Sequence, residues 1–589
     1  MQVTTRSTFL DFLKGVAIIA VILFHAGIFT YGYLGVEVFL VVAGYLTTKS
    51  IVRSLERGNF GYWRFIFGRM ARLWPLVVVV CAVSLLLGYF LMLPDSYKNT
   101  AETALGSLLF LNNFIQYITA GDYWDVSNDF KPLMHTWYVG LLVQFYVVFP
   151  LVLMLTHRFA PRGHKSSLMV LLVIGLISLI IYLLPQVPTA VHFYMLPSRL
   201  FEFMCGGCVA LLPCRTEVRH KDYLLKRIGL LLLILMIASG LDIEHGKLVV
   251  ILTVALTAWL LYLNAETEQV PDPWNVRWIV QLGVASYSLY LWHQVFLAFY
   301  RYCVNYELSV GEYVLLIGGS LIIGYLSYLL IEKPLDCVMK NYRLGMQMVL
   351  WLCLFFVGGL GFASFRLYTS HGVVRDVPEL DIVKNRPSTW EPQEYNSAVY
   401  GCNIDFPHNG RKNVLVVGDS YGRDWYNVLR EAGVGKSMNL SYRDTGDSVL
   451  SQRIERADYV FLATHGDYSR FKDYLPKMMT KKFYRVGDKK FFSTAGVIYN
   501  HGRKGYYQQV VRIPEEIVRF NQQELRVFGD KFINPMDVMM NSDGTCRIFT
   551  PSGKLISHDG LHLTRAGAQY YANLYDVTKY FIIHNGERN

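Results

Sequence analysis

The sequence predicts a polytopic α-helical membrane domain followed by an extracytoplasmic α/β/α domain built on a parallel sheet. Three observations carry this. Of 589 residues, 53% are hydrophobic and only 17% charged, and the mean hydropathy is +0.28, too apolar for a soluble protein of ordinary composition. Before about residue 370 the apolar residues gather into repeated runs, most of about 17 to 22 residues, the length that crosses a bilayer as a helix. After that point the chain is mixed, charged and turn-rich, and Asn413 opens a strand-to-helix pattern.

Eleven spans are predicted, at 10–29, 33–50, 75–93, 136–156, 167–184, 193–212, 228–241, 247–263, 280–302, 311–331 and 347–368. The run around 103–118, broken by Asn112 and Asn113, reads as an interfacial or re-entrant helix. The domains are then 1–370 in the membrane, a connector over 371–410 packed on the outer domain, and an outer domain over 411–589. Pro378, Pro387, Pro392 and Pro407 make that connector ordered rather than a loose tether.

The net charge of +11 does not point to nucleic acid, because the bases sit in alternate short loops. Arg53, Arg57, Arg64, Arg69 and Arg72 form one group; Arg158, Arg162 and Lys165 another; then Arg215, Arg219, Lys221, Lys226 and Arg227; then Lys333, Lys340 and Arg343. Cytoplasmic loops collect Lys and Arg, so the amino terminus is expected inside. An odd number of spans then places the second domain outside. The loop at 264–280 fits least well, with only Arg277. No small-residue cleavage pattern follows the first run, which is expected to stay as an anchor. Cys205 and Cys208 read as helix-packing residues, and Cys402 with Cys546, alone in an outer domain, as a disulfide candidate.

The first run, 9–30, keeps Lys14 near one end and His25 near the other, about 16 Å apart by helical rise. Ionisable groups inside a membrane segment mark function by default. Glu37 in Gly35-Val-Glu-Val-Phe39 carries charge into the second run, and Arg69-Met-Ala-Arg72 sets two guanidiniums on one helical face. Such a face suits phosphates, while spacing alone favours ordinary positive-inside charge. Arg199 and Glu202, three apart, read as a structural pair, and His135 and His293 as wall residues.

These motifs in this order resemble the acyltransferase family 3 membrane proteins over about residues 8–335: Lys14 and His25, Gly-Val-Glu-Val-Phe, Arg-x-x-Arg before Trp74-Pro75, His135-Thr-Trp137 and Ser286-Tyr-Ser-Leu-Tyr-Leu-Trp-His293. Two places depart from the pattern, Leu142-Val143 before Gln144 and Gln294 after His293. The resemblance makes Lys14 and His25 the basic-x10-His motif and Arg69 and Arg72 the acyl-CoA-side arginines. A neutral imidazole in a dry pocket serves as general base or as acyl acceptor, and both roles stay open for His25.

In the outer domain, Asn413-Val-Leu-Val-Val-Gly-Asp-Ser420 reads as a buried strand ending at a serine beside a helix N-terminus, where developing negative charge is favoured. Asp559 and His562, three apart near the far end, complete a nucleophile, base and orienting carboxylate. This stretch, about 410–580, resembles the SGNH/GDSL esterase and acetyltransferase superfamily. That resemblance makes Ser420 the nucleophile, His562 the base and Asp559 its partner, with Gly446 or Gly466 as oxyanion donors; a plain Gly-x-Asn is missing.

A triad outside the cytoplasm has no acyl donor of its own, and both residue sets are present, which argues for transfer. The expected activity is O-acetyl transfer from cytoplasmic acetyl-CoA to an envelope glycan, with no metal. By the resemblance, fused proteins of this type acetylate lipopolysaccharide O-antigen, other exported polysaccharides or peptidoglycan. O-antigen is the expected acceptor; peptidoglycan O-acetylation or a membrane-anchored glycan deacetylase are the alternatives. The expected place is a bacterial inner membrane with the outer domain in the periplasm.

Overall fold

The computed structural model describes residues 8–119, 128–159, 164–213, 220–238, 246–264, 276–304, 308–341, 344–384, 392–492 and 505–581. Cys214 and the loop bases Arg162, Arg215, Arg219 and Arg343, like Pro387, lie outside them. The chain divides into a helical unit ending at Gly372 and an α/β unit from Val373.

The helical unit comprises α1 (Thr8–His25), α2 (Leu34–Glu56), α3 (Tyr62–Leu91), α4 (Pro94–Leu108), α5 (Asn112–Thr119), α6 (Trp137–Phe159), α7 (His164–Leu183), α8 (Thr189–Tyr194), α9 (Leu196–Leu211), α10 (His220–Ala238), α11 (Gly246–Leu263), α12 (Arg277–Val284), α13 (Ser286–Cys303), α14 (Val310–Ser327), α15 (Lys333–Asn341) and α16 (Gly345–Thr369). Among the described residues, eight helices are long and apolar enough to cross a membrane. The other three expected spans are present as helices that miss those limits for physical reasons. Helix α9 has 16 residues and carries Arg199 and Glu202; α10 opens on a charged turn; and the stretch 280–302 breaks at Ala285 into α12 and α13.

Close approach of backbones fixes the packing. A Cβ on Gly44 of α2 would lie 2.0 Å from the Phe203 carbonyl oxygen of α9, and one on Gly206 of α9 would lie 1.9 Å from that of Val41. Small residues at such crossings let helices meet at backbone distance. The run around 103–118 forms α4 and α5, and Asn112 and Asn113, which open α5, are buried. Asn112 Nδ2 donates to Leu133 O (3.0 Å) and Thr136 Oγ1 (2.7 Å), so this pair of helices holds the turn that carries His135.

In the α/β unit, β1 (Asn413–Gly418), β2 (Asn439–Arg443), β3 (Tyr459–Ala463), β4 (Lys482–Val486) and β6 (Phe532–Ile533) form one parallel sheet in the order β2-β1-β3-β4-β6. A short antiparallel ribbon pairs β5 (Val510–Arg512) with β7 (Thr545–Arg547). Strand β1 is buried from Val414 to Gly418, as its unbroken aliphatic run requires. Chain direction across the sheet reverses at β1, so its carboxyl end opens the crevice where open α/β sheets bind ligands. Connector residues, among them the short helix α17 (Pro392–Ser397), belong to this unit: Leu555 N–H donates to Glu379 O (2.8 Å), and Asn396 Nδ2 to Asp424 (2.7 Å).

One expectation is corrected. Cys402 and Cys546 are free thiols. Cys402 ends a 3-10 turn beside Tyr426, whereas Cys546 is buried in β7 with its thiol directed at Phe491 O. Their different secondary elements orient them to separate partners. Alkylation of the unfolded protein without reductant should therefore label both, as read by mass spectrometry of their peptides; a peptide pair linked through sulfur would contradict this. Gly206→Leu should overpack the α2/α9 crossing by at least about 1–3 kcal/mol and reduce the monodisperse fraction in detergent.

Candidate functional site

The outer site begins with the turn after β1. Gly418 has φ +154°, and a Cβ there would stand 1.7 Å from the Ala463 carbonyl oxygen, so glycine alone permits this approach to β3. The chain then turns into α18 (Ser420–Glu431), capped by Asp419, whose carboxylate accepts Tyr421 N–H (2.9 Å) and His465 N–H (2.8 Å). Ser420 is thus the first residue of a twelve-residue helix and is fully buried.

The three expected residues meet there. Ser420 Oγ lies 2.9 Å from His562 Nε2, and His562 Nδ1 lies 2.5 Å from Asp559 Oδ2. Asp559 Oδ1 also accepts Leu561 N–H and His562 N–H, each at 2.8 Å, and Ser557 Oγ–H at 3.2 Å. Burial pushes the Asp559 carboxyl up, but the charges of His562 and His558 and its hydrogen bonds hold it well below the usual carboxylate range. A lowered carboxyl contributes stability above the ordinary aspartate value of about 3.9 and loses it only as pH falls through the depressed value. The imidazole–carboxylate pair therefore persists in mild acid.

A second layer fixes the histidine loop to α18. Asp424, one helical turn after Ser420, accepts Leu563 N–H (3.0 Å) and pairs with Lys489 Nζ (2.7 Å). Lys489 in turn donates to Leu561 O (2.7 Å) and sits 3.6 Å from the Tyr421 ring centre. The backbone on both sides of His562 is thereby tied to the helix that carries the nucleophile. Neither Asp424 nor Lys489 belongs to a recognisable local pattern. His558, written in the sequence directly before Asp559, is the other residue missed; its Nε2 is 3.7 Å from Asp559 Oδ2.

The oxyanion candidates fare differently. Gly466 N–H is donated to Asp488 Oδ2 (3.3 Å), which corrects its assignment as an oxyanion donor. What this loop presents instead is the His465 ring, stacked on Tyr421 at 5.0 Å and half exposed. Its hydrogen bond to Asp488 raises the His465 imidazole above the usual value despite burial. Gly446 lies in the loop between β2 and the helix Ser448–Arg456, beside Tyr474.

In the helical unit, His25 ends α1 with its ring 5.1 Å from that of His293, which is 5.2 Å from that of His135. Lys14 pairs with Asp11 at 2.6 Å. Glu37 is buried against Arg199 (2.9 Å), and Arg199 also holds Glu202 (2.9 Å), so the expected i,i+3 pair is part of a three-residue cluster joining α2 to α9. Arg69 and Arg72 share a helix but not partners. The Arg69 guanidinium lies 5.0 Å from both the Phe65 and Tyr146 rings, whereas Arg72 faces Glu332 at 3.6 Å with half its side chain exposed.

Fold and site together define a class: a multi-pass helical membrane protein joined to an α/β domain with a Ser-His-Asp triad. A family model described as "Acyltransferase domain" matches residues 7–329, more than half the chain, and the protein belongs to that family, acyltransferase family 3. It is 26% identical over 351 residues to "O-acetyltransferase OatA" of Staphylococcus aureus strain NCTC 8325 / PS 47, covering 55% of this chain and 56% of the relative. A "putative O-acetyltransferase" of S. aureus strain COL is likewise 26% identical over 352 residues. The chain spans about half the length of the curated relatives it matches. No solved structure matches.

Replacing Asp559 by Asn should leave the fold intact and lower hydrolysis of an acetyl ester such as p-nitrophenyl acetate by about 10³–10⁴-fold, because the imidazole loses its orienting carboxylate. Wild-type rates in this variant would remove Asp559 from the triad.

Proposed function

We propose that the protein is an O-acetyltransferase that moves acetyl groups from cytoplasmic acetyl-CoA, through its membrane domain, to hydroxyls of an envelope glycan. The observation that carries this reading is the coexistence of a hydrogen-bonded Ser420–His562–Asp559 triad with the buried His25 site in a chain of the acyltransferase family. OatA-type similarity favours peptidoglycan as acceptor over the O-antigen expected from the sequence.

On the donor side, Arg69 and Arg72 receive the phosphates of CoA, as bidentate donors do. Arg72 is half exposed with Glu332 as its neighbour, which suits exchange of one anionic partner for another. His25, at the end of α1, acts on the acetyl thioester. The amino terminus lies in the cytoplasm and the α/β domain in the periplasm or its equivalent outside.

On the acceptor side, Ser420 Oγ attacks the acetyl carbon while His562 Nε2 takes its proton and passes it to the group that leaves the acetyl carbon. Asp559 stabilises the imidazolium. Negative charge on the acetyl oxygen develops at the N-terminus of α18, with Ser420 N–H and the Gly446 loop as donors. A sugar hydroxyl then attacks the acetyl-serine and gives its proton to His562, which returns it to Ser420 Oγ as the serine–acetyl bond breaks and the sugar leaves as its acetyl ester. A deacetylase would need only this second half.

Mass spectrometry of envelope glycans tests the reading. Cells carrying His25→Ala or Ser420→Ala should each show acetylation reduced to the level without the protein, with the variant inserted at normal abundance. Full acetylation with His25→Ala would refute the membrane step. Acetate release from acetylated glycan, with no transfer, would favour the deacetylase.

A further inference from the structure

The three histidines that converge in the helical unit are unlike in one respect. His25 is half-buried, while His135 and His293 are fully buried behind it. Backbone carbonyls set the tautomers of the two buried rings. A neutral imidazole carries one N–H and one lone pair, and a carbonyl oxygen only accepts. His293 Nδ1 lies 2.6 Å from Tyr290 O, so it bears the hydrogen and Nε2 the lone pair. His135 Nε2 lies 3.2 Å from Leu291 O, so it bears the hydrogen and Nδ1 the lone pair. Among the described residues, neither His293 Nε2 nor His135 Nδ1 has a hydrogen-bond partner.

A buried acceptor left unmade costs about 1–3 kcal/mol, and here there are two within one cluster. A histidine kept only for packing needs no bare basic nitrogen. Tyr290 reinforces the arrangement: its hydroxyl donates to His135 O (2.6 Å) and its own carbonyl orients His293. The Arg301 guanidinium is also close, 4.0 Å from where a Cβ on Gly27 would stand, two residues past His25. It is ion-paired with Asp129 at 3.1 Å.

We infer that His293, backed by His135, accepts the ring proton of His25 during acetyl transfer. The inference rests on the proposed action of His25 on an acetyl thioester. Whether His25 attacks the acetyl carbon or deprotonates the group that does, its ring becomes cationic. Passing its other ring proton to His293 Nε2, directly or through one water, restores neutrality. The step balances: a bond forms to the acetyl carbon, the carbon–sulfur bond breaks, CoA leaves as the thiolate and takes its proton from water, and the proton from His25 stays on His293 until the acetyl group moves on. His293 touches no substrate and is a positioning residue acting through His25.

The test uses the full-length protein in liposomes, with acetyl-CoA as probe and initial release of CoA thiol as readout. His293→Asn places an amide N–H where Nδ1 was, keeping the bond to Tyr290 O while removing the base at Nε2. The expected result is a fall in kcat of about 10²–10⁴-fold, the usual worth of general acid–base assistance, with KM for acetyl-CoA and the melting temperature unchanged. Wild-type kcat, or a loss that comes with a raised KM or a lowered melting temperature, overturns the inference. Should His293→Asn fail to fold, His135→Gln, which keeps the bond to Leu291 O and removes the base at Nδ1, decides by the same readouts. His25→Ala serves as control: thiol release at the wild-type rate there defeats the reading of His25 itself, not the relay alone.

Discussion

Charge buried away from water must be paired, and both units of this protein are organised by that requirement. In the helical unit the buried guanidinium of Arg199 sits between Glu37 and Glu202, and this cluster ties α2 to α9 at the crossing where Gly44 and Gly206 bring their backbones together. In the α/β unit the buried Lys489–Asp424 pair does the corresponding work. Removing one partner from such a pair leaves an uncompensated charge and typically costs about 3–5 kcal/mol. These clusters hold the reactive groups by their surroundings.

The consequence is clearest at the triad. Ser420 is placed by local structure, a strand end followed at once by a helix, with Gly418 allowing the turn. His562 comes from a loop far along the chain, and local structure alone does not aim it. Its neighbours Leu561 and Leu563 are held by Lys489 and Asp424, so its ring has little freedom beyond the hydrogen bonds to Ser420 and Asp559. Holding a base within hydrogen-bond reach of its nucleophile before substrate arrives is what makes such a site effective.

Much of this was legible in the sequence because it is encoded locally. Apolar runs of bilayer length mark helices, the run Val414 to Val417 marks a buried strand, and Gly-Asp-Ser420 with Asp559-x-x-His562 marks the triad. The unread features all depend on distant residues meeting. Arg199 was read with Glu202 on its own helix, but nothing local indicates that Glu37 shares it. His135 and His293 were read as wall residues, because proximity to His25 is a property of packing and not of spacing. The disulfide expectation failed for a related reason: two cysteines alone in a domain need not face one another, and Cys402 and Cys546 belong to elements with separate partners. Gly466 was offered as an oxyanion donor by resemblance alone, and its N–H is donated to Asp488, a partner far along the chain.

In the proposed route, acetyl reaches Ser420 by way of His25. The most direct measurement encloses radiolabelled acetyl-CoA with the cytoplasmic face of the protein in sealed proteoliposomes, without glycan acceptor, and isolates the peptide containing Ser420. Label should appear on Ser420 in the wild-type protein and be absent when His25 is replaced by Ala. Equal labelling of Ser420 in both proteins would contradict it.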